Sequence, residues 1–349
     1  MSTLCRILQR PDNKYGSGTP NKTTLHSRLK ILGTLAAAFS LLVLCGVASA
    51  QTWPAKPIRM IIPFSPGGVS DILGRFWADK LSKSLNVSVV AENRPGAGTT
   101  IASAAVAGAA PDGYTLYFTD VTTHAINATL YSNLRYDTVK DFTDIAMVAA
   151  APLVLVVPAN SSANSLQAFI DTAKQKPGEL NYASSGNGTI LHLAAEALKS
   201  AAGIKLTHIP YKGSTEATMA TLSGQTSVNF SPIAPVVEHL KAGTLKALGV
   251  TSLGKNSALP QAEPIAKTIP SFEIILYSGI LGPANIPKDI VERINAAVAQ
   301  GMNDDDTKKL YASIGADRIT MSPSEFNRVF SDLTKNMGRL VKESGAQVN

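Results

Sequence analysis

Ile58-Arg59-Met60-Ile61-Ile62-Pro63-Phe64-Ser65-Pro66-Gly67-Gly68-Val69-Ser70-Asp71 runs from an apolar strand through a glycine turn into the start of a helix. Gly67 and Gly68 take backbone angles closed to other residues and let a ligand approach the main chain, while Ser70 or Asp71 is placed to cap the helix. The unpaired N–H groups of such a first turn, with the helix dipole behind them, favour a carboxylate or phosphate. A plain strand-to-helix turn in an α/β protein also carries glycine, so this stretch alone does not choose between the two readings. A second turn of the same kind, Ser184-Ser185-Gly186-Asn187-Gly188-Thr189, lies far down the chain and favours the anion site.

Upstream, Arg28-Leu29-Lys30 precedes an apolar run from Ile31 to Cys45 and then Gly46-Val47-Ala48-Ser49-Ala50. Basic region, apolar region and small-x-small site together read as a secretory signal peptide with an extended N-terminal region, cut after Ala50. The run is too short and too cleanly ended by small residues for a transmembrane helix. Leu44 is too bulky for a lipoprotein signal at Cys45. Six of the 32 lysines and arginines and one of the 25 acids lie in residues 1–50, so the remainder carries 26 basic and 24 acidic residues, a net +2 against +7 for the whole. No basic cluster remains that would hold nucleic acid or an anionic membrane. Both cysteines, Cys5 and Cys45, leave with the leader, which excludes thiol chemistry and cysteine-ligated metal.

After residue 50, short apolar runs alternate with helical patterns, predicting an α/β protein with largely parallel sheets. Strands are expected at 58–63, 88–92 and 114–118, with helices at 71–85 and 99–109, a short helix ending at Leu130, and a loose segment holding Asp137, Asp141 and Asp144. Strands at 153–157, 180–183, 205–209, 227–230 and 245–250 follow, separated by helices at about 165–176, 189–202, 214–223 and 233–242. Residues 272–281 read as a strand returning to the first lobe, before helices at about 288–302, 305–314 and 323–344. The expected division is therefore residues 51–152 plus 275–349 as lobe I and 153–274 as lobe II. A chain that leaves one lobe and returns makes a two-strand hinge, and a ligand belongs in the cleft between lobes.

Pro57-Ile58-Arg59, the opening glycine turn, Glu92-Asn93-Arg94-Pro95-Gly96-Ala97-Gly98 and Pro111-Asp112-Gly113-Tyr114-Thr115-Leu116 resemble the Bug family. These are extracytoplasmic solute-binding proteins of tripartite tricarboxylate transporters. His124-Ala125-Ile126-Asn127, Leu180 to Thr189, His192-Leu193-Ala194-Ala195-Glu196 and Pro210-Tyr211-Lys212-Gly213 continue the resemblance in order over nearly the whole exported chain. It implies a two-lobed periplasmic-binding-protein-like fold of type II and a carboxylate-containing ligand delivered to a membrane permease. By position it implies ligand contacts from Phe64, Ser65, Pro66, Gly67, Gly68 and Asp71, from Thr119, Asp120, Val121, Thr122 and Thr123, and from Ser184, Asn187, Gly188, Thr189, Tyr211, Lys212, Gly213 and Ser231. Backbone N–H groups, hydroxyls and waters would hold the acid without a buried counter-charge, which avoids a large desolvation cost.

The loop at Thr119 to Thr123 departs from the family's glycine-rich pattern and adds a carboxylate, while Ser231 stands where an acid is common. Asp120 then either contacts a ligand amine or hydroxyl or caps the helix near His124. His124, His192, His208 and His239 lack metal-ligand spacing and read as structural. Arg94 reads as an anchor of its loop. Gly96-Ala97-Gly98 and Gly186-Asn187-Gly188 do not complete a dinucleotide fingerprint, since Ile101 and Leu191 occupy the last glycine position, and no nucleophile elbow or phosphate-loop lysine occurs. The expectation is a monomeric periplasmic receptor, not an enzyme, with no cofactor and no metal. Its partners are a small organic acid and the transporter's membrane subunits, with no nucleic acid. An exported enzyme on a small acid and a ligand-sensing partner of a two-component system are the alternatives.

Overall fold

The computed structural model describes residues 53–347. The signal peptide and its cut after Ala50 lie outside the described residues. Among the described residues no helix is long and apolar enough to cross a membrane.

Strand β1 (Ile58–Ile62) is apolar along almost its whole length because both of its faces are covered. It pairs in parallel with β2 (Val89–Asn93) on one side and β3 (Thr115–Asp120) on the other. Between them, α1 (Val69–Leu85) buries Leu73, Trp77, Leu81 and Leu85, one per turn, against this sheet. Each such side chain contributes roughly 1.5–3 kcal/mol by leaving water. Trp77 also donates its indole N–H to Tyr311 Oη at 3.0 Å. The turn after β2 leads into α2 (Thr100–Ala107), and β3 runs straight into α3 (Val121–Leu130).

The segment expected to be loose contains the first part of the longest strand among the described residues, and the strand expected at 153–157 is its end. β4 covers Phe142–Pro158, 17 residues. Its first part pairs antiparallel with β9 (Ile275–Pro283), from Phe142 to Pro152. From Leu153 onward it pairs antiparallel with β7 (Val228–Pro232) and with β8 (Leu245–Val250). β9 in turn pairs antiparallel with β3. The sheet order is β2-β1-β3-β9-β4-β7-β5-β6, with β8 and the short β10 (Asp317–Arg318) both on β4. The sheet is therefore mixed and not largely parallel: the outer triplets β2-β1-β3 and β7-β5-β6 are parallel, and the strands that join them are antiparallel.

The far triplet is completed by β5 (Asn181–Ser184) and β6 (Thr207–Pro210), with α4 (Leu166–Gln175), α5 (Ile190–Ala202) and α6 (Ser214–Leu222) packed around it. The helix expected at 233–242 shortens to α7 (Val237–Lys241). The chain then returns along β9 to α8 (Lys288–Gly301), α9 (Asp305–Ile314) and α10 (Pro323–Ser344). α10 starts with a capping box, in which Ser322 and Glu325 satisfy each other's backbone N–H groups behind Pro323.

Where the chain crosses from one triplet to the other, one buried hydroxyl joins both crossings. Thr251 Oγ1 accepts the N–H of Leu153 at 2.8 Å and donates to the carbonyl of Ile274 at 2.5 Å. The Thr251 N–H donates to Leu153 O at 2.9 Å, and the Ile274 N–H to Thr251 O at 3.1 Å.

Candidate functional site

The opening glycine turn lies at the end of β1, as expected, but neither Ser70 nor Asp71 caps the helix. α1 begins at Val69, with Gly68 as its N-cap and no side-chain cap. Asp71 is in the first turn and reaches back to brace the loop. Its carboxylate accepts the Gly67 N–H at 3.0 Å, Arg75 Nε–H at 2.9 Å and Asn93 Nδ2–H at 2.8 Å, and Asn93 also donates to Phe64 O. A 5 % exposed carboxylate with three donors has little left for a ligand. The glycines serve a close approach across the cleft: a Cβ on Gly68 would lie 2.8 Å from Ser214 Oγ, and one on Gly213 would lie 3.2 Å from Ser65 Cβ. Gly67 has φ +87°. Pro66 is exposed.

Thr119, Asp120, Val121, Thr122 and Thr123 are all buried. Asp120 is the N-cap of α3: Oδ1 accepts the N–H groups of Thr122 at 3.0 Å and Thr123 at 3.1 Å, and Oδ2 accepts from Thr123 Oγ1 at 2.5 Å. Burial pushes its carboxyl up to about 6 against these hydrogen bonds. Of the two roles open to Asp120, the structure contains the cap. Thr122 Oγ1 ties α3 to β9 by donating to Ile275 O and accepting from the Tyr277 N–H. Thr123 Oγ1 crosses the cleft to accept the Ile190 N–H at 3.1 Å.

The second turn, 184–189, is held from beneath by stacked rings. His208 lies between Tyr182 and His192, with ring centroids 4.6 and 4.4 Å apart. His208 Nε2 is 2.6 Å from Ser184 Oγ, and His192 Nδ1 accepts the Gly188 N–H at 3.3 Å. Burial, with His192 and Lys199 nearby, lowers His208 to about 3. Burial likewise lowers His192, so both rings are neutral near pH 7. Thr189 caps α5 and donates to Gly186 O. Ser184, Gly188 and Thr189 thus build the turn. Ser231 is fully buried and donates to Pro232 O.

What remains open is a cavity of about 460 Å³ walled by residues 63–64, 96–99, 131, 185–187 and 210–212. Phe64, Asn187, Tyr211 and Lys212 of the expected residues lie on its wall. Ser65, Gly67, Gly68 and Gly213 close the cleft beside it. Sequence reasoning did not assign Gly96 to Thr99 or Tyr131 to the ligand. The 96–98 turn carries the same strand-glycine-helix signal as the opening stretch, whereas nothing in the sequence marks Tyr131. Its hydroxyl donates to Asn187 O at 2.9 Å and Ala97 O at 3.2 Å, clasping the two sides of the cleft together. Gly98 has φ +57°, and a Cβ there would lie 2.0 Å from Asn187 O.

Lys212 is the one charged residue on this wall. Backbone groups of three glycine-bearing loops and one exposed ammonium suit an anion whose charge stays partly hydrated. Arg94 donates to Glu92, away from this wall. Among the described residues no group of three or more His, Cys, Asp or Glu is placed to hold a metal ion.

Residues 73–346 match the sequence model of a family described as tripartite tricarboxylate transporter family receptor. Protein BugT of Bordetella pertussis is 31% identical over 302 residues, spanning 86% of this chain and 93% of that protein. A solved R. palustris protein with adipate is 30% identical with a TM-score of 0.81, covering 85% of this chain and 100% of that one. MatC from Rhodopseudomonas palustris with bound malate is 26% identical with a TM-score of 0.79, covering 83% and 100%. The architecture is the two-lobed, periplasmic-binding-protein-like α/β fold, with a cleft between lobes joined by two strands.

Proposed function

This chain belongs to the receptor family of tripartite tricarboxylate transporters, and from that premise we propose that it is a non-catalytic receptor. It captures a small carboxylate in the 460 Å³ cavity and delivers it to the membrane subunits of such a transporter. The observation that carries this reading is the charge of the cavity wall, where Lys212 faces a cleft otherwise built of glycine turns, the aromatic side chains of Phe64, Tyr131 and Tyr211, and backbone. The adipate and malate held by two similar structures are both dicarboxylates. Residues 53–152 with 275–347 form one closing body and 153–274 the other, and the closed form is what the transporter recognises. The leader pattern supports periplasmic residence after cleavage at Ala50. A monomer suffices for this cycle.

The test is a thermal-shift and calorimetry screen of the chain from Gln51 onward against malate, adipate and their diamides. A diacid at 100 times its dissociation constant adds about 2.7 kcal/mol of stability. The diacid is expected to bind and to be recovered unchanged, the diamide not to bind, and Lys212→Gln to weaken binding by roughly tenfold. Equal binding of acid and amide, or consumption of the acid, would overturn the reading.

A further inference from the structure

One peptide unit in the second turn is gripped from both lobes. Its N–H, that of Gly188, donates to His192 Nδ1 at 3.3 Å within lobe II. Its carbonyl, that of Asn187, accepts the Tyr131 hydroxyl of lobe I at 2.9 Å. In a planar trans peptide these two groups point in opposite directions, so the bond made on one side decides where the other side aims. The unit lies at the ligand site, since Asn187 and Tyr131 both line the cavity. Gly188, at φ +82°, has no side chain to hold the unit against rotation, and a Cβ there would lie 2.7 Å from Tyr131 Cε2.

A backbone N–H can only donate, so His192 Nδ1 carries a lone pair and the ring proton sits on Nε2. That nitrogen lies 3.9 Å from Glu196 Oε1. Glu196 and Lys199 come from the same helix as His192, His208 stacks on it from β6 at 4.4 Å between centroids, and Tyr182 lies beyond from β5 at 6.4 Å. From lobe I, α3 and its end bring Thr123 and Tyr131 to this turn, neither of them charged. Burial disfavours the imidazolium, Glu196 favours it and Lys199 opposes it, which leaves the ring below the ordinary histidine value. The Glu196 carboxylate is itself already engaged, accepting from Tyr182 Oη at 2.5 Å and Lys199 Nζ at 2.7 Å.

We propose that His192 is a positioning residue for lobe closure: its Nδ1 lone pair aims the Asn187 carbonyl at Tyr131, and protonation of the ring releases that carbonyl and favours the open cleft. With Nδ1 protonated, the ring and the Gly188 N–H present hydrogens to each other. The peptide turns, and the closed form loses the bond between Tyr131 and Asn187. The open form has no such bond to lose, so a proton on His192 lets ligand go. Binding is full where the ring is neutral and falls as pH drops below the ordinary histidine value of about 6.5. This inference rests on the carboxylate-receptor reading and adds a proton-linked release step to it.

The experiment is calorimetry with adipate on the chain from Gln51 onward, from about pH 7.5 down to about pH 4.5, for the parent, His192→Asn, His192→Leu and Tyr131→Phe. The asparagine amide oxygen stands in for Nδ1 and takes up no proton in this range. Dividing the parent's affinity by that of His192→Asn at each pH removes the titration of adipate itself. The ratio is expected to fall on acidification by up to roughly tenfold, and a flat ratio overturns the inference. At the neutral end His192→Leu and Tyr131→Phe should each weaken adipate by roughly tenfold, and the double variant should be little weaker than either, because both act on one peptide. Additive losses would overturn it as well. Nitrogen NMR of the imidazole rings needs no ligand: His192 is expected as the Nε2–H tautomer, and the Nδ1–H tautomer overturns the inference. If adipate and malate both fail to bind the parent, the carboxylate reading falls, and the ring spectrum alone still decides whether His192 orients the turn.

Discussion

Asp120 is a carboxylate beside an anion-binding cleft that turns its charge inward, onto the first turn of α3. Its folded value of about 6 stands above the ordinary range, so its contribution to stability is present at low pH and is lost as pH rises through about 6. Asp144, raised by burial to about 6, has the same sign. His124 and His208, lowered by burial to about 4 and about 3, have the opposite one: their contribution is full above the ordinary histidine value and is lost as pH falls. The two pairs oppose each other between about pH 4 and about pH 6. Asn also serves as an N-cap, so Asp120→Asn keeps α3 while removing one of the groups that stabilise on acidification. The variant should therefore lose stability more steeply than the parent between pH 7 and 4 in urea titrations. Parallel curves would mean that the three hydrogen bonds hold Asp120 ionised throughout.

At the scale of elements, the glycine-bearing turns do the work of approach. Gly98 sits in a left-handed conformation in the short turn before α2, directly against Asn187 of the opposite lobe. An alanine there costs about 1–2 kcal/mol for the backbone alone. Its Cβ meets Asn187 O in the closed cleft and has no such obstacle when the lobes are apart. Gly98→Ala should fold with modestly lowered stability, bind diacid at least tenfold more weakly, and show by small-angle scattering no contraction with ligand. Normal contraction would show that the turn shifts to make room. These turns were legible in the sequence because glycine followed by a helix has a local cause, and β8 was legible to its ends. The first part of β4 was not. Asp141 and Asp144 and the alanines near 149–151 weaken any strand signal, and only β9 alongside makes that stretch a strand. Tyr131, on the cavity wall, escaped for a similar reason. Tyr131 reaches Asn187 across the cleft, a contact that no local pattern encodes.

For the whole molecule, the two crossing strands decide how the lobes move. Thr251→Val keeps the shape of the side chain but leaves the Leu153 N–H and one bond of Ile274 O unmet in a buried place, on the order of 2 kcal/mol in stability. Spin labels on α2 and α6 should then report a broader spread of interlobe distances than in the parent. An unaltered spread would mean that pairing of β4 with β9 is sufficient to define the hinge. The bonds of Thr251 lie at the crossing itself, while Tyr131 and Thr123 reach over the cleft. In the closing motion proposed above, rotation about the crossing would make or break the cleft contacts and leave those of Thr251 intact. The hinge is thus energetically indifferent to whether the lobes are open or shut. It fixes the path, and the balance of populations is left to the cleft, so that each increment of ligand affinity for the shut form passes undiminished into the fraction of receptor ready to dock.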